Sequence, residues 1–157
     1  MPTPIGPYAE DIDIGVLKGR AGARVYHSAN QSIPNDTITT LAFDSEDYDT
    51  DDIHDTVTNN SRLTCKTAGK YLIAACIPYS TNGTGYRGAW IDLNGSVTLT
   101  LARIPAVTSS GIGTYVFIMT VYDLSVNDYV VLKAKQDSGG ALDVLVNGLF
   151  FAMQRVG

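Results

Sequence analysis

Gly69-Lys70-Tyr71-Leu72-Ile73-Ala74-Ala75-Cys76-Ile77-Pro78-Tyr79 reads as a β-strand without a polar face. Side chains alternate across a strand, so Tyr71, Ile73, Ala75, Ile77 and Tyr79 lie on one side and Leu72, Ala74 and Cys76 on the other. A strand with water behind it alternates apolar with polar residues; a run that is apolar on both sides needs cover on both. One side can be the domain's own core. The other requires a second partner.

Working outward, the same pattern recurs in Tyr115-Val116-Phe117-Ile118-Met119-Thr120-Val121-Tyr122 and in the apolar runs between Leu142 and Gln154, among them Leu149-Phe150-Phe151-Ala152-Met153. Other segments alternate as half-wet strands do. Val130, Leu132 and Ala134 oppose Tyr129, Val131, Lys133 and Lys135, while Val97, Leu99 and Leu101 oppose Thr98, Thr100 and Ala102. The contrast predicts two packed sheets, one of which carries surplus apolar surface, and no segment of helical period is present to cover it. Further copies of the chain are the simplest cover. The expected interface residues are Tyr71, Ile73, Ile77, Tyr79, Phe117, Ile118, Phe150 and Phe151, with the sequence leaving open which face of each strand is the outward one.

The remaining punctuation is that of an all-β chain. Asn94-Gly95 between alternating runs predicts a tight hairpin from Arg87–Leu93 into Ser96–Arg103, because both central positions of such a turn need positive φ. Thr37 to Phe43 reads as a strand, Asp44 to Asp55 as an acidic loop, and Thr67-Ala68-Gly69 as a tight connection into the central strand. Residues 22–157 then read as a two-sheet antiparallel jelly-roll sandwich of about ten strands, assembling as a trimer. Residues 1–21, with Pro2, Pro4 and Pro7, read as an extended arm whose Ile5, Tyr8, Ile12, Ile14, Val16 and Leu17 are candidate attachment residues.

Composition narrows the function classes. With 157 residues, 45% hydrophobic and 17% charged, the chain fits one globular domain. A net charge of −5 argues against binding nucleic acid or an anionic membrane, which would require phosphate neutralisation. No run is long enough to span a bilayer, and Met1 to Pro7 lacks the basic and apolar regions of a signal peptide. Cys65 and Cys76 are the only cysteines, and their expected pairing positions keep them apart as two buried thiols.

Catalytic constellations are sparse. His27 and His54 are the only histidines, which excludes a histidine-rich metal site, and no Gly-x-Ser-x-Gly elbow or phosphate-cradling glycine loop is present. Both histidines read as ordinary surface or interface residues. Asp47, Asp49 and Asp51 alternate like the start of a calcium loop, but Asp52 stands where glycine is required and Thr58 where a bidentate glutamate is required. They remain candidates for a loose oxygen-ligand calcium site in what otherwise reads as a solvated loop. No other cofactor is indicated. Trp90 and the tyrosines are candidates for a sugar platform, and equally for sandwich packing.

Arg62-Leu63-Thr64-Cys65-Lys66-Thr67-Ala68-Gly69-Lys70-Tyr71-Leu72-Ile73 resembles a segment of the complement C1q-like and tumour necrosis factor-like jelly rolls: phenylalanine-threonine-cysteine, then glycine, any residue, tyrosine, any residue, phenylalanine. Phe43-Asp44 with Tyr48-Asp49, Leu124 to Val130, and Leu149-Phe150-Phe151 extend the resemblance over about Gly22 to Met153. Ile73 departs from it where the family has an aromatic residue, and Asn127 where it has glycine. The opening Ala23-Arg24-Val25-Tyr26 and Asn30-Gln31-Ser32-Ile33-Pro34 resemble members from bacteria and their viruses. The resemblance implies three subunits packed by their inner sheets around an axis, with calcium in some members. The function expected is a non-enzymatic, homotrimeric virion protein at the virion surface: a bacteriophage capsid decoration protein bound to the major capsid protein through its arm. A receptor-binding tip of a tail fibre and a glycan-binding or glycan-active module are the alternatives.

Overall fold

The computed structural model describes residues 21–157. The arm expected over 1–21, with its candidate attachment residues, lies outside them except for Ala21. Among the described residues there are twelve strands and no helix: β1 Gly22–Tyr26, β2 Gln31–Ile33, β3 Thr39–Thr40, β4 Ser45–Asp49, β5 Arg62–Thr64, β6 Gly69–Tyr79, β7 Tyr86–Leu93, β8 Val97–Pro105, β9 Thr114–Leu124, β10 Tyr129–Gln136, β11 Leu142–Val144 and β12 Phe150–Arg155. They form two antiparallel sheets.

The large sheet has the order β2-β11-β6-β12-β1-β4, with β9 paired along the free side of β6. β6 is its organising strand. It meets β9 over its full length, from Gly69 opposite Leu124 to Tyr79 opposite Thr114, and meets β12 on its other side, from Tyr71 opposite Arg155 to Cys76 opposite Phe150. The small sheet has the order β3-β10-β7-β8, with β5 also paired to β10. At the corner where the sheets approach, β8 lies against β9.

The core fills the space between the sheets. Tyr71, Ile73, Ala75, Ile77 and Tyr79 of β6 point into it with Val116 and Ile118 of β9 and Phe151 and Met153 of β12, facing Ala89, Ile91, Val130, Leu132 and Ala134 of the small sheet. Phe43 and Phe151 bring their ring centroids within 5.6 Å. The two core tyrosines satisfy their hydroxyls: Tyr71 donates to the Thr67 carbonyl at 2.6 Å and Tyr79 to the Gly88 carbonyl at 2.6 Å, the latter bridging the sheets.

Four local expectations are corrected. Thr67 to Gly69 is a crossover between sheets and not a hairpin, because β5 pairs with β10 and β6 belongs to the other sheet. Both cysteines are nonetheless free and buried. The acidic segment is not all loop: β4 pairs with β1, from Ala23 opposite Asp49 to Tyr26 opposite Ser45. As the outermost strand of its sheet it can carry the charges that discourage edge-to-edge association. The run from Leu142 to Gln154 is broken into β11 and β12, with Gly148 at φ 93° in the connection. Finally, the Asn94-Gly95 turn forms as expected, at φ 50° and 76°, but a bulge at Ile91/Asp92 shifts the pairing so that Val97 and Leu101 face solvent and Ala102 and Ile104 pack on the core.

Candidate functional site

The outer face of the large sheet is the feature that most needs a partner. In β9 the residues alternating with buried Val116 and Ile118 are Tyr115, Phe117, Met119 and Val121, exposed by 45%, 69%, 67% and 57%. The antiparallel register continues them across the sheet in rows: Val121 beside Leu72 and then Gln154, Met119 beside Ala74 and then Ala152, Phe117 beside Cys76 and then Phe150. Only the margins are charged. Lys70 and Asp123 face each other at one end, and on β1 Arg24 lies over the Phe150 ring at 4.1 Å while pairing with Asp47 at 2.7 Å. β8 adds exposed Val97 and Leu101 at the corner. Soluble monomers rarely present a continuous apolar field of this kind.

This geometry divides the interface residues expected from the sequence. Phe117 stands on the outward face, and Phe150 is half-buried there. Tyr71, Ile73, Ile77, Tyr79, Ile118 and Phe151 are a correction: they are buried within a single subunit and have no surface to offer another. The sequence carried both faces of each strand without a sign of which was outward, whereas the outward residues Leu72, Tyr115, Met119 and Val121 were overlooked. Cys76 is also outward but is covered by its neighbours; burial pushes its thiol up to about 11, so it packs as a neutral, weakly polar group.

The histidines are not surface residues. His27 is buried just past β1; its Nε2 donates to the Leu145 carbonyl at 3.3 Å, and its Nδ1 has no protein partner. Burial lowers its pKa. The His54 side chain is enclosed between the Glu46 carboxylate, 2.8 Å from Nδ1, and the Asn60 carbonyl, 3.1 Å from Nε2. Neither ring is hydrogen-bonded to a serine, threonine or cysteine, so neither histidine is paired with a nucleophile.

The carboxylates of Asp47, Asp49 and Asp51 have different surroundings, and one oxygen of Asp51 is buried without a hydrogen-bond partner among the described residues. Asp47 pairs with Arg24, while Asp49 accepts from the Asp51 and His54 backbone N–H groups. Among the described residues, no group of three or more histidine, cysteine, aspartate and glutamate side chains is arranged to hold a metal ion. Trp90 is only 5% exposed, with the Arg103 guanidinium 5.2 Å from its ring centroid, so its face is not free to stack on a sugar. Arg87 is fully buried, a role its apolar strand did not signal: its guanidinium donates to the carbonyls of Asn82, Thr84 and Tyr86, holding the loop ahead of β7. Burial lowers its pKa.

No protein-family model matches the sequence, and no curated protein matches it. Solved structures do resemble the fold. Murine APRIL superposes with a TM-score of 0.66 at 13% identity, covering 87% of this chain and 99% of that one. Eiger TNF from S. frugiperda gives 0.62 at 15% identity, with 88% and 94% covered. The globular domain of zebrafish complement 1qA gives 0.62 at 14% identity, with 88% and 98% covered. The chain therefore has the two-sheet jelly-roll fold of the tumour necrosis factor proteins and the complement 1q globular domain.

Proposed function

We propose that the chain is a structural module, not a catalyst, that assembles as a homotrimer through the outer face of its large sheet and decorates the capsid of a bacteriophage. The observation carrying the assembly is the apolar field of Tyr115, Phe117, Met119 and Val121, which extends over Leu72, Ala74 and Ala152. Burying it is favourable by about 25 cal/mol per Å² of apolar area. Contact of the β8/β9 corner of one subunit with the sheet face of the next is heterologous, and such contacts close into a ring when the rotation permits. Multi-angle light scattering at micromolar concentration should give three times the 16.8 kDa subunit mass. A folded monomer would overturn the assembly.

The capsid reading rests on the sequence of the arm and on the resemblance to phage and bacterial members. In the sequence, three prolines in the first seven residues disfavour a helix there, and Ile5, Tyr8, Ile12, Ile14, Val16 and Leu17 supply more apolar side chains than a spacer requires. Three arms per trimer would raise the effective concentration of each. Deleting residues 2–20 should leave a trimer that no longer decorates the parent virion. Full occupancy by the truncated trimer moves attachment to the sandwich, and antibody label at fibre tips instead of the capsid replaces decoration with receptor binding.

A further inference from the structure

The outer face of the small sheet lies on the opposite side of the sandwich from the apolar field, and it gathers cations although the chain has a net charge of −5. Lys133 and Lys135 alternate with the core residues Leu132 and Ala134, Arg62 sits opposite Val131, and Arg103 crosses the faces of Trp90 and Tyr86. Most of these charges are already engaged. Lys133 pairs with Asp92 at 2.6 Å and Lys135 with Asp36 at 2.8 Å. Arg62 differs: its guanidinium is 4.9 Å from the Tyr129 ring centroid, and it makes no side-chain hydrogen bond or ion pair with the described residues.

Arg62 and Asn59 form the ridge between two adjoining open hollows of about 320 and 450 Å³. The smaller is lined by Arg62, Lys133 and the hydroxyl-bearing Thr40 and Ser61, with no carboxylate on its wall. The larger is lined by Lys66, Thr58 and Thr64 together with His54, Asp52 and Asp55. The guanidinium lies over the Tyr129 ring, and its N–H donors have the planar fork that matches a carboxylate.

We propose that this ridge and its two hollows bind an acidic saccharide of the uronic acid type. The sugar carboxylate pairs with Arg62 on the smaller side, whose wall carries Arg62 and the Asp92-paired Lys133 and no carboxylate. Neighbouring pyranose hydroxyls occupy the larger hollow, donating to Asp52 and Asp55 and exchanging hydrogen bonds with Thr58 and Thr64. The volumes fall in the range of small-ligand sites. The two aspartates repel a dense polyanion, and the scarcity of apolar lining disfavours a peptide. None of the residues lining the two hollows belongs to β6, β9 or β12, the strands that carry the apolar field.

The test is titration of the full-length protein with trigalacturonate, followed by backbone amide NMR and calorimetry, against maltotriose, triglutamate and a heparin hexasaccharide. Trigalacturonate should give saturable shifts confined to residue 40 and to residues 52–66 and 129–133. Arg62→Gln should weaken binding at least tenfold, and Arg62→Lys, which keeps the charge but loses the fork, at least threefold; the latter decides if the former fails to fold. Absence of saturable binding, unchanged affinity in either folded variant, or equal binding of maltotriose, triglutamate or heparin would overturn the proposal.

Discussion

Tyr79 shows how a polar atom is accommodated in the middle of this core. Its ring is buried and its hydroxyl donates to the Gly88 carbonyl at 2.6 Å, with the Lys135 carbonyl 3.2 Å away. Burial raises the phenol pKa, so the group stays a neutral donor. Tyr79→Phe should lower stability by about 1–2 kcal/mol, read as a shift in the urea midpoint, and leave assembly unchanged. His27 provides a pH signature. Its folded pKa lies below the ordinary 6.5, so as pH falls through about 6.5 the unfolded chain takes up a proton that the folded chain resists, and stability declines. The carboxylates of Asp44 and Asp128, which hydrogen bonds hold below 3.8, contribute only in a more acidic range. Between pH 7.5 and 5.5 the wild type should therefore lose more stability than His27→Gln. Equal losses would place the pH dependence elsewhere.

Elements were legible where one local rule decided them, and illegible where pairing between distant segments did. The Asn94-Gly95 turn and the β6 strand follow from turn chemistry and apolar length, and both formed as expected. β4 did not, since nothing within Ser45-Glu46-Asp47-Tyr48-Asp49 favours a strand until β1 supplies a ladder of hydrogen bonds. The direction of each face was hidden for the same reason: β6 and β9 are apolar on both sides, so alternation cannot identify the core. Likewise, the Arg62 ridge joins the turn at 59 to residues of β3, β5 and β10, which only the fold brings together. One close approach within β7 can be tested directly. A Cβ on Gly88 would fall 2.6 Å from the Trp90 ring, so Gly88→Ala should displace the indole from the sheet. Trp90 is the single tryptophan, and a red shift of its emission with greater quenching by iodide would report the displacement.

At the scale of the whole molecule, the sandwich is a single core whose two outer faces have opposite character, apolar on the large sheet and cationic on the small one. Adjacent residues of β9 separate folding from assembly. Ile118 is buried against the core, opposite Ala75, while Phe117 projects 69% exposed beside Cys76. A carboxylate at 118 is an unpaired buried charge, with a cost of several kcal/mol, comparable to the whole stability of a domain of this size. At 117 the same carboxylate is solvated in the isolated subunit and becomes buried only when another subunit covers the sheet. Ile118→Asp should therefore abolish the cooperative unfolding transition. Phe117→Asp should keep the native circular dichroism and an unfolding midpoint independent of concentration, while sedimenting as a monomer. If Phe117→Asp remains a trimer of unchanged affinity, the outer face of the large sheet is not the interface, and the apolar corner of Val97 and Leu101 becomes the surface that must be covered.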